Sequence, residues 1–205
     1  MMRFYRTPRF ISLLYPELTW RIRSEDAIYL TFDDGPDAEV TPWVLEILGQ
    51  FDAKATFFCL GKNLEANPEM GKRIMDEGHQ IGNHTYSHLE GWKTKDLQYL
   101  EDVKLGEEVM AELGMKSNLF RPPYGRIRKR QIKILDRKII MWSHLSWDFD
   151  QKLNVEKSIR QLKKAGSGSI LVFHDSSRAF KNLKKILPEI LLHFRDKGFK
   201  FEIIP

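Results

Sequence analysis

This 205-residue chain has little cysteine and no long apolar run, and both features restrict the kind of protein it can be. Its single cysteine, Cys59, excludes an intramolecular disulfide framework. Cys59 stands within the apolar run 55–60, which is typical of a buried core thiol rather than of a nucleophile. The chain also lacks any run of about eighteen apolar residues, so no transmembrane segment is predicted.

The first 26 residues lack clean periodicity and a recognisable secretory leader. The apolar patch 10–15 is broken by Ser12 and is followed by Pro16, so it is too short for the apolar core of a signal peptide. We therefore expect residues 1–26 to form an irregular segment packed on the domain surface. The default location is the cytoplasm.

Charge and composition give few further restrictions. The net charge is +5, and the Lys and Arg residues are mostly spread through helical stretches, so no nucleic-acid partner is predicted. An apolar content of 42% over this length is enough for the core of one domain. Protein partners are not indicated by any pattern.

The most informative stretch is 31–36, with the sequence Thr-Phe-Asp-Asp-Gly-Pro. An apolar, partly β-branched run over 27–32 predicts a strand that delivers Asp33 and Asp34 to a turn. Two adjacent carboxylates repel each other unless a cation or buried donors compensate their charge. The pair therefore predicts partners elsewhere in the chain.

Candidate partners are His84 and His88, two imidazoles four residues apart. Together with Asp34 they offer two nitrogens and one oxygen, a ligand set typical of a catalytic metal site that keeps one coordination position open. By itself the histidine pair is moderate support, because six histidines in the chain allow such a spacing by chance. The histidine pair and the two acids together support a metal site more strongly than the pair does alone.

Strand-like and helix-like segments alternate along the chain. The predicted strands are 27–32, 55–60, 79–83, 119–121, 139–142, 169–173 and 199–204. This alternation favours parallel strands joined by crossover helices, and no internal linker or repeat interrupts it. We predict an α/β fold, a distorted (β/α) barrel of about seven parallel strands that resembles a TIM barrel.

The polar residues that could bind a metal or take part in catalysis all follow the carboxyl ends of predicted strands. They are Asp33, Asp34, His84, His88, Arg121, Tyr124, Asp148 and His174. In a barrel of parallel strands those ends converge on one face, where active sites are built. Each group also has an ordinary structural explanation: a turn, a solvated arginine, a core histidine or a surface acid. Trp142 and Trp147 are more often core residues. The shared position of all the polar groups favours one pocket.

The motifs also resemble those of a known family. They are 31–36, 84–88, 121–125, 142–149 and 172–174, in the order of the five motifs of the polysaccharide deacetylases, also called carbohydrate esterase family 4 or the NodB-homology domain. The resemblance covers residues 27–205. It implies a distorted barrel that hydrolyses N-acetyl groups of amino sugars with one divalent metal. The metal is usually zinc, with cobalt, nickel or manganese as alternatives.

The resemblance also implies residue roles. Asp34, His84 and His88 correspond to the metal ligands. Asp33 corresponds to the general base and His174 to the general acid, with Arg121 orienting Asp33 and Asp148 tuning His174. The backbone amide of Tyr124 is implied to bind the oxyanion. The other implied substrate contacts are Pro123, Trp147, Phe149 and Val172.

Two motifs depart from the family pattern. The usual Asp-x-x-Asp-Trp reads Leu145-Ser-Trp-Asp-Phe149, and the usual leucine of the last motif is Val172. These changes alter the wall expected to receive the acetyl methyl group. The leading hypothesis is a deacetylase of peptidoglycan or a chitin-like oligosaccharide. The alternatives are an amidase acting on a lipid-linked sugar or small molecule, and a non-catalytic glycan-binding module.

A basic cluster follows the third motif and includes Arg126, Arg128 and Arg130. Cations at the start of a predicted helix oppose its dipole, so the cluster has a local cost. One explanation is a solvated basic face. The other is a rim that contacts an anionic part of the substrate.

Overall fold

The computed structural model describes residues 3–205, the side chain of Arg9 excepted, so residues 1 and 2 of the predicted N-terminal segment lie outside it. The strands are β1 Ala27–Asp33, β2 Ala55–Cys59, β3 Gln80–Asn83, β4 Leu119–Phe120, β5 Lys138–Ile139, β6 His144–Leu145, β7 Ile170–His174 and β8 Lys200–Phe201. The helices are α1 Arg9–Leu14, α2 Val40–Gln50, α3 Gly61–Ala66, α4 Pro68–Asp76, α5 Asp96–Glu112, α6 Lys129–Leu135, α7 Val155–Leu162 and α8 Phe180–Asp196.

The sheet confirms the predicted α/β fold. Its strands lie in the order β5-β4-β3-β2-β1-β7-β6, β8 pairs with β1, and every pairing is parallel. The sheet curls into a half-barrel rather than closing on itself. Its two outer strands, β5 and β6, therefore leave a gap.

The N-terminal segment lies in that gap. Thr19 bridges Ile140 beyond the end of β5, and Arg6 bridges His144 in β6. Further backbone hydrogen bonds run from Thr7 N–H to Ser143 O and from Leu145 N–H to Tyr5 O. The segment was predicted to be irregular, but it contains the short helix α1. Six residues are too few for a periodic apolar pattern to be recognised.

Strand β1 explains how the barrel positions acids at its mouth. All seven of its residues are buried, as expected for a parallel strand covered on both faces. Ile28, Leu30 and Phe32 pack into the large core cluster that also includes residues of α2 and α8. The alternate residues Thr31 and Asp33 point to the other face, because side chains alternate along a strand.

Two short elements, β6 and α3, were not predicted from the sequence. Strands β4 and β5 have two residues each and overlap the predicted strands 119–121 and 139–142. Strand β6 also has two residues, and it was missed because two residues carry no alternation. Helix α3 was also missed. The pair Thr41-Pro42 is typical of an N-cap followed by a proline at the first helical position, but helix α2 begins at Val40, so Thr41 lies inside it. The hydroxyl of Thr41 instead donates to Oδ2 of Asp175, 2.6 Å away. Asn154 does cap α7, accepting from Lys157 N–H at 2.7 Å.

Two further predictions concern Cys59 and membrane-spanning helices. Cys59 is buried in the large core cluster, and burial raises the pKa of its thiol well above the usual value. A reactive thiolate is therefore disfavoured. Among residues 3–205, no helix combines the length and apolarity needed to cross a membrane.

His79 is a buried imidazole that joins β2 to the start of β3. It is 8% exposed, its Nδ1 accepts from Ala55 N–H at 3.2 Å, and its ring meets the edge of Phe57. Burial lowers the pKa of His79 to about 4, with a smaller contribution from Lys54. The folded protein therefore holds this imidazole neutral at pH values where the unfolded chain protonates it.

We expect this difference to make stability fall as the pH is lowered. The contribution of His79 is fully present above the unfolded pKa near 6.5 and is lost as the pH falls towards 4, by up to about 3 kcal/mol. Asparagine offers an acceptor near the position of Nδ1 but does not titrate. Urea unfolding at pH 7 and pH 4.5 should therefore show a smaller loss for His79→Asn than for the wild type. Equal losses of stability in both proteins would contradict the assignment of this pH dependence to His79.

Candidate active site

A cleft of about 500 Å³ opens at the carboxyl ends of the strands. Acids, imidazoles, aromatic rings and two arginines surround it. The described lining residues are Asp33, Asp34, His84, His88, Tyr124, Arg126, Trp142, Leu145, Trp147, Phe149, Val172, His174 and Arg178. The barrel thus brings together side chains that the sequence separates by up to 145 positions, from Asp33 to Arg178.

Asp33 ends β1 and is paired with the fully buried guanidinium of Arg121. Arg121 Nη1 donates to Asp33 Oδ1 and to Thr31 Oγ1, each at 2.7 Å. The other nitrogens, Nε and Nη2, donate to the carbonyls of Ile140 and Met141 at 3.1 Å. These bonds fix the orientation of the guanidinium, which in turn holds the Asp33 carboxylate in one position.

Asp34, His84 and His88 form a compact group of ligand atoms. One ligand atom from each residue lies within 4.8 Å of the others. Asp34 Oδ1 is 3.1 Å from His88 Nε2 and 3.6 Å from His84 Nε2. Burial alone would raise the pKa of Asp34, but contact with His88 and the positive charge of His174 hold it well below its usual range. Asp34 is therefore an anion.

The tautomer of His84 provides a test of whether a cation fits here. Its Nδ1 lies 2.7 Å from the carbonyl oxygen of Arg121, which only accepts, so Nδ1 carries the hydrogen. Burial lowers the pKa of His84 to about 4, so the ring is neutral near pH 7. Its Nε2 lone pair then faces Asp34 Oδ1, which is buried and receives no well-aligned hydrogen bond from the described residues. Two such acceptors are compatible when a metal ion lies between them.

Local backbone contacts hold the ligand loops. Asn63 Nδ2 donates to the carbonyl of Asp34 at 2.6 Å. Thr85 Oγ1 accepts from His88 N–H at 2.9 Å, which closes the turn between the two histidines. The candidate ligands are thus positioned by side chains of neighbouring segments.

On the opposite part of the lining, His174 pairs with Asp148. Asp148 Oδ1 accepts from His174 Nδ1 at 2.7 Å, and its Oδ2 accepts from the His174 backbone N–H at 2.9 Å. Burial alone lowers the pKa of His174, but the charge and hydrogen bond of Asp148 outweigh it and raise the pKa to about 9. The imidazolium is thus stable at neutral pH, with Nε2 turned away from Asp148.

Backbone strain is concentrated around the cleft. Of the seven non-glycine residues with positive φ in the described chain, five belong to the cleft or its histidine turn: Asp34, Thr85, His88, Tyr124 and Trp147. Such conformations cost about 1 kcal/mol or more for most side chains and persist where the surroundings enforce them. Their clustering indicates a functional site.

Comparison with known proteins agrees with this geometry. The sequence profile of the family described as polysaccharide deacetylase matches residues 21–138. The chain belongs to the polysaccharide deacetylase family. This confirms the resemblance found in the sequence, and with it the prediction of a polysaccharide N-deacetylase enzyme.

Individual relatives extend the match along the chain. A peptidoglycan-N-acetylglucosamine deacetylase of Bacillus cereus is 35% identical over 90% of this chain and 89% of its own. The peptidoglycan-N-acetylmuramic acid deacetylase PdaA of Bacillus subtilis is 32% identical over 88% of this chain and 70% of its own. A solved peptidoglycan N-acetylglucosamine deacetylase, bound to 4-naphthalen-1-yl-N-oxidanyl-benzamide, has a TM-score of 0.88 and 33% identity, covering 97% of this chain and 95% of that one.

The wall that departs from the usual pattern of the polysaccharide deacetylases does face the cleft. Leu145, Trp147, Phe149 and Val172 all line it. Phe149 packs edge-on against His174 with ring centroids 4.8 Å apart, and the ring of Trp147 lies tilted against that of Phe149 at 5.5 Å. An apolar wall next to His174 is suited to a small apolar group such as a methyl.

The third motif is divided between surface and interior. Tyr124 is 60% exposed and its ring meets His88 edge-on at 4.7 Å. Its left-handed backbone lies in the short 3-10 turn Pro123–Gly125. Pro123 is buried and is not among the residues that line the cleft. Pro123 thus supports the turn rather than the cleft surface.

The basic cluster is also divided. Arg126 lines the cleft and pairs with Glu90 at 2.8 Å. Arg128 instead bonds the carbonyls of Trp92 and Thr94. Both Arg128 and Arg130 lie near Asp96, at 3.1 and 3.7 Å, outside the described cleft lining. The predicted three-arginine rim is therefore reduced to Arg126.

Several site residues were not predicted from the sequence. Thr31, which fixes Arg121, had a recognisable signal, because it lies two residues before Asp33 on the same face of a strand. Trp142 and Arg178 also line the cleft. No sequence pattern predicts this, because their position depends on how the folded chain runs past the cleft. Asp175 is fully buried behind Gly35, where an added Cβ would lie 2.0 Å from its Oδ2. Burial raises the pKa of Asp175 to about 8.

The Asp33–Arg121 pair leads to a stability prediction. Lysine at position 121 keeps the charge but not the planar fork that reaches four acceptors. We expect Arg121→Lys to lower the free energy of unfolding by about 2–4 kcal/mol, because buried acceptors lose their partners. The urea midpoint of unfolding measures the loss.

A matched control is Arg137→Lys. Arg137 also uses two nitrogens, on Glu107, but that pair is exposed. Exposed pairs contribute about 0–1 kcal/mol. Equal destabilisation by the two substitutions would show that burial of the Arg121 fork is unimportant.

Proposed function

We propose that this polysaccharide deacetylase is a divalent-metal-dependent enzyme that removes N-acetyl groups from amino sugars of a peptidoglycan-type glycan. The observation that supports this best is the occurrence, in one cleft, of the Asp34–His84–His88 ligand group, the Asp33 carboxylate and the His174–Asp148 pair. Zinc is the proposed ion, because two imidazoles and one carboxylate suit a tetrahedral site with one open position.

Once bound, the ion would supply Lewis-acid polarisation of the amide carbonyl and lower the pKa of a water molecule. Asp33 accepts the proton in the first proton transfer. Its Oδ1 is taken by Arg121, which leaves Oδ2 to accept a proton from the attacking water. The hydrogen bond from Arg121 orients this carboxylate.

His174 has the complementary role. As the carbon–nitrogen bond breaks, the departing amine needs a proton, and the imidazolium supplies it from Nε2. Asp148 holds Nδ1 and stabilises the cation before the transfer. The products are acetate and a free amino sugar. The Tyr124 backbone N–H is the proposed donor to the carbonyl oxygen as negative charge develops there.

The His174–Asp148 pair also discriminates between classes of function. A non-catalytic glycan-binding module has no use for a general acid whose proton is maintained by a buried carboxylate. A metal-dependent amidase acting on a lipid-linked sugar or a small molecule uses the same groups, so substrate trials must separate it from the glycan deacetylase.

The test is acetate release by zinc-loaded protein from a substrate panel, followed by mass spectrometry. The panel contains peptidoglycan fragments with N-acetylglucosamine or N-acetylmuramic acid, chitin oligosaccharides, and a small N-acetyl amide. We expect release from the peptidoglycan fragments and its loss after chelation. Release from the small amide alone, or none from any substrate, would overturn the proposal.

Arg126 gives a prediction about substrate charge. Its position on the lining favours substrates that carry a carboxylate, such as a lactyl or peptide group. Arg126→Ser should lower kcat/KM for an anionic oligosaccharide about 3- to 10-fold at low salt, and less at 0.15 M, where the screening length is about 8 Å.

A neutral oligosaccharide and the Arg128→Ser variant are the controls, since Arg128 lies outside the described cleft lining. Equal losses for neutral and anionic substrates would leave Arg126 as a structural partner of Glu90.

A further inference from the structure

Helix α1 turns apolar side chains towards solvent. Phe10, Leu13 and Leu14 are each at least 60% exposed. Their spacing of three and four residues places them on one side of the helix. A surface helix of a globular protein normally buries such a stripe against the core. Phe4 is exposed as well, so four of the eleven exposed large apolar side chains of the described chain lie within residues 4–14.

Helix α6 lies beside the end of α1. Tyr15 follows α1 directly, and it packs in the same small core cluster as Ile132 and Leu135 of α6. The Nζ atom of Lys129, the first residue of α6, lies 5.4 Å from the centre of the Tyr15 ring. The apolar side of α1 therefore borders the basic first turn of α6. We call this combined surface the α1–α6 face, and its residues are Phe4, Phe10, Leu13, Leu14, Lys129, Arg130 and Lys133.

The cations of the α1–α6 face are only partly neutralised. Residues 126–133 contain five Lys or Arg residues and no acid. The first turn of α6 has no acidic residue, although cations there oppose the positive end of the helix dipole. Asp96 pairs with two arginines of this stretch. Lys129 and Lys133 are exposed and form no ion pair with the rest of the described chain. An anionic partner would offset their mutual repulsion.

We propose that the α1–α6 face docks the protein on a lipid bilayer that contains anionic phospholipids. Phe10, Leu13 and Leu14 would enter the boundary between headgroups and acyl chains, while Lys129 and Lys133 contact the phosphates. A second copy of the chain would bring like charges together, which repel each other. A soluble polyanion would leave the apolar stripe in water. An anionic bilayer satisfies both parts of the face.

The α1–α6 face adjoins the wall of the catalytic cleft. Trp147 lines the cleft, and its Nε1 donates to the carbonyl of Phe4 at 3.1 Å. Docking would therefore hold the cleft close to the membrane surface. The proposal is independent of the function proposed for the cleft, because lipid binding uses none of the metal ligands or proton-transfer groups.

The probes are phosphatidylcholine vesicles with and without phosphatidylglycerol, mixed with the metal-loaded protein at low salt and separated by flotation. We expect the anionic vesicles to bind at least about tenfold more tightly than the neutral ones, and the binding to weaken as sodium chloride is raised. The double substitution Leu13→Ser and Leu14→Ser should weaken binding to the anionic vesicles at least about tenfold, because two apolar side chains no longer leave water.

Matched substitutions separate the α1–α6 face from the general surface. The double substitution Lys129→Gln and Lys133→Gln should weaken binding by about tenfold or more. Its control removes the same charge from α8, through the exposed pair Lys181→Gln and Lys185→Gln. The control for the leucines is Leu97→Ser in α5, where the side chain is 71% exposed. Both controls should leave the affinity within about twofold, because neither site contacts the bilayer.

No binding of the wild type to anionic vesicles would overturn the proposal. Binding that survives the two leucine substitutions but is lost with the lysines would also overturn it, since a purely electrostatic surface behaves in that way. Thermal midpoints control for folding. Should Lys129→Gln lower the midpoint through loss of the Tyr15 contact, Lys133→Gln alone decides, with an expected loss of about threefold or more.

Sedimentation velocity without vesicles tests the alternative occupant. We expect a monomer in the wild type and in the leucine variant. A wild-type dimer that the substitutions Leu13→Ser and Leu14→Ser abolish would overturn the proposal and assign the α1–α6 face to a second copy of the chain.

Discussion

Replacement of Asp33 by asparagine is expected to lower kcat by a factor of about 10² to 10⁴ and to leave the metal bound. The size of the effect is that of a positioned proton acceptor that is lost from the reaction. Asparagine retains an oxygen that accepts from Arg121 Nη1, so the local geometry is largely kept. Acetate release and metal content, measured on the same samples, give the two quantities.

The control is the neighbouring substitution Asp34→Asn. Asp34 Oδ1 is the carboxylate oxygen that faces the two imidazoles, so this variant should lose metal affinity as well as activity. The opposite pattern, in which Asp33→Asn loses the metal and Asp34→Asn keeps it, would exchange the roles of the two acids. Thermal midpoints must accompany both measurements, because Asp33 is also the partner of a buried arginine.

Removal of one imidazole is expected to have a comparably large effect on metal binding. His88→Ala should weaken the affinity for zinc by at least about 10² and abolish turnover at limiting zinc, because it removes one of the three proposed protein ligands. His88 is preferable to His84 for this test. His84 is buried and bonded to the Arg121 carbonyl, whereas the His88 side chain is 22% exposed.

Two further variants make the result specific. His193→Ala removes an imidazole from α8, outside the ligand cluster, and should bind zinc normally. Cys59→Ser should also retain the metal, because the thiol is buried in the core. Calorimetric zinc titration of the three proteins provides the comparison. Undiminished affinity in His88→Ala would remove that histidine from the site.

The sequence located most of the strands but not every short element. Strands β1, β2 and β7 have five to seven residues and were located from apolar runs, and β3, β4, β5 and β8 overlap the other predicted strands. Strand β6 has two residues, and helix α3 has six. Elements this short have no period that a sequence can display, and they form because their neighbours supply the pairing. The basic cluster shows the same limit, since spacing alone did not separate Arg126 from Arg128.

The chemical groups that gather at the mouth of the barrel could be predicted from the linear order of residues. Asp33, Asp34, His84 and His174 follow the ends of strands, and parallel strands joined by helices must bring those ends to one face. The pairing of these groups could not be predicted in this way, because it depends on the folded arrangement of the strands. Arg121 reaches Asp33 across 88 positions of sequence, and Asp148 pairs with His174. Such contacts depend on strand order and side-chain direction, which emerge when distant segments pack together.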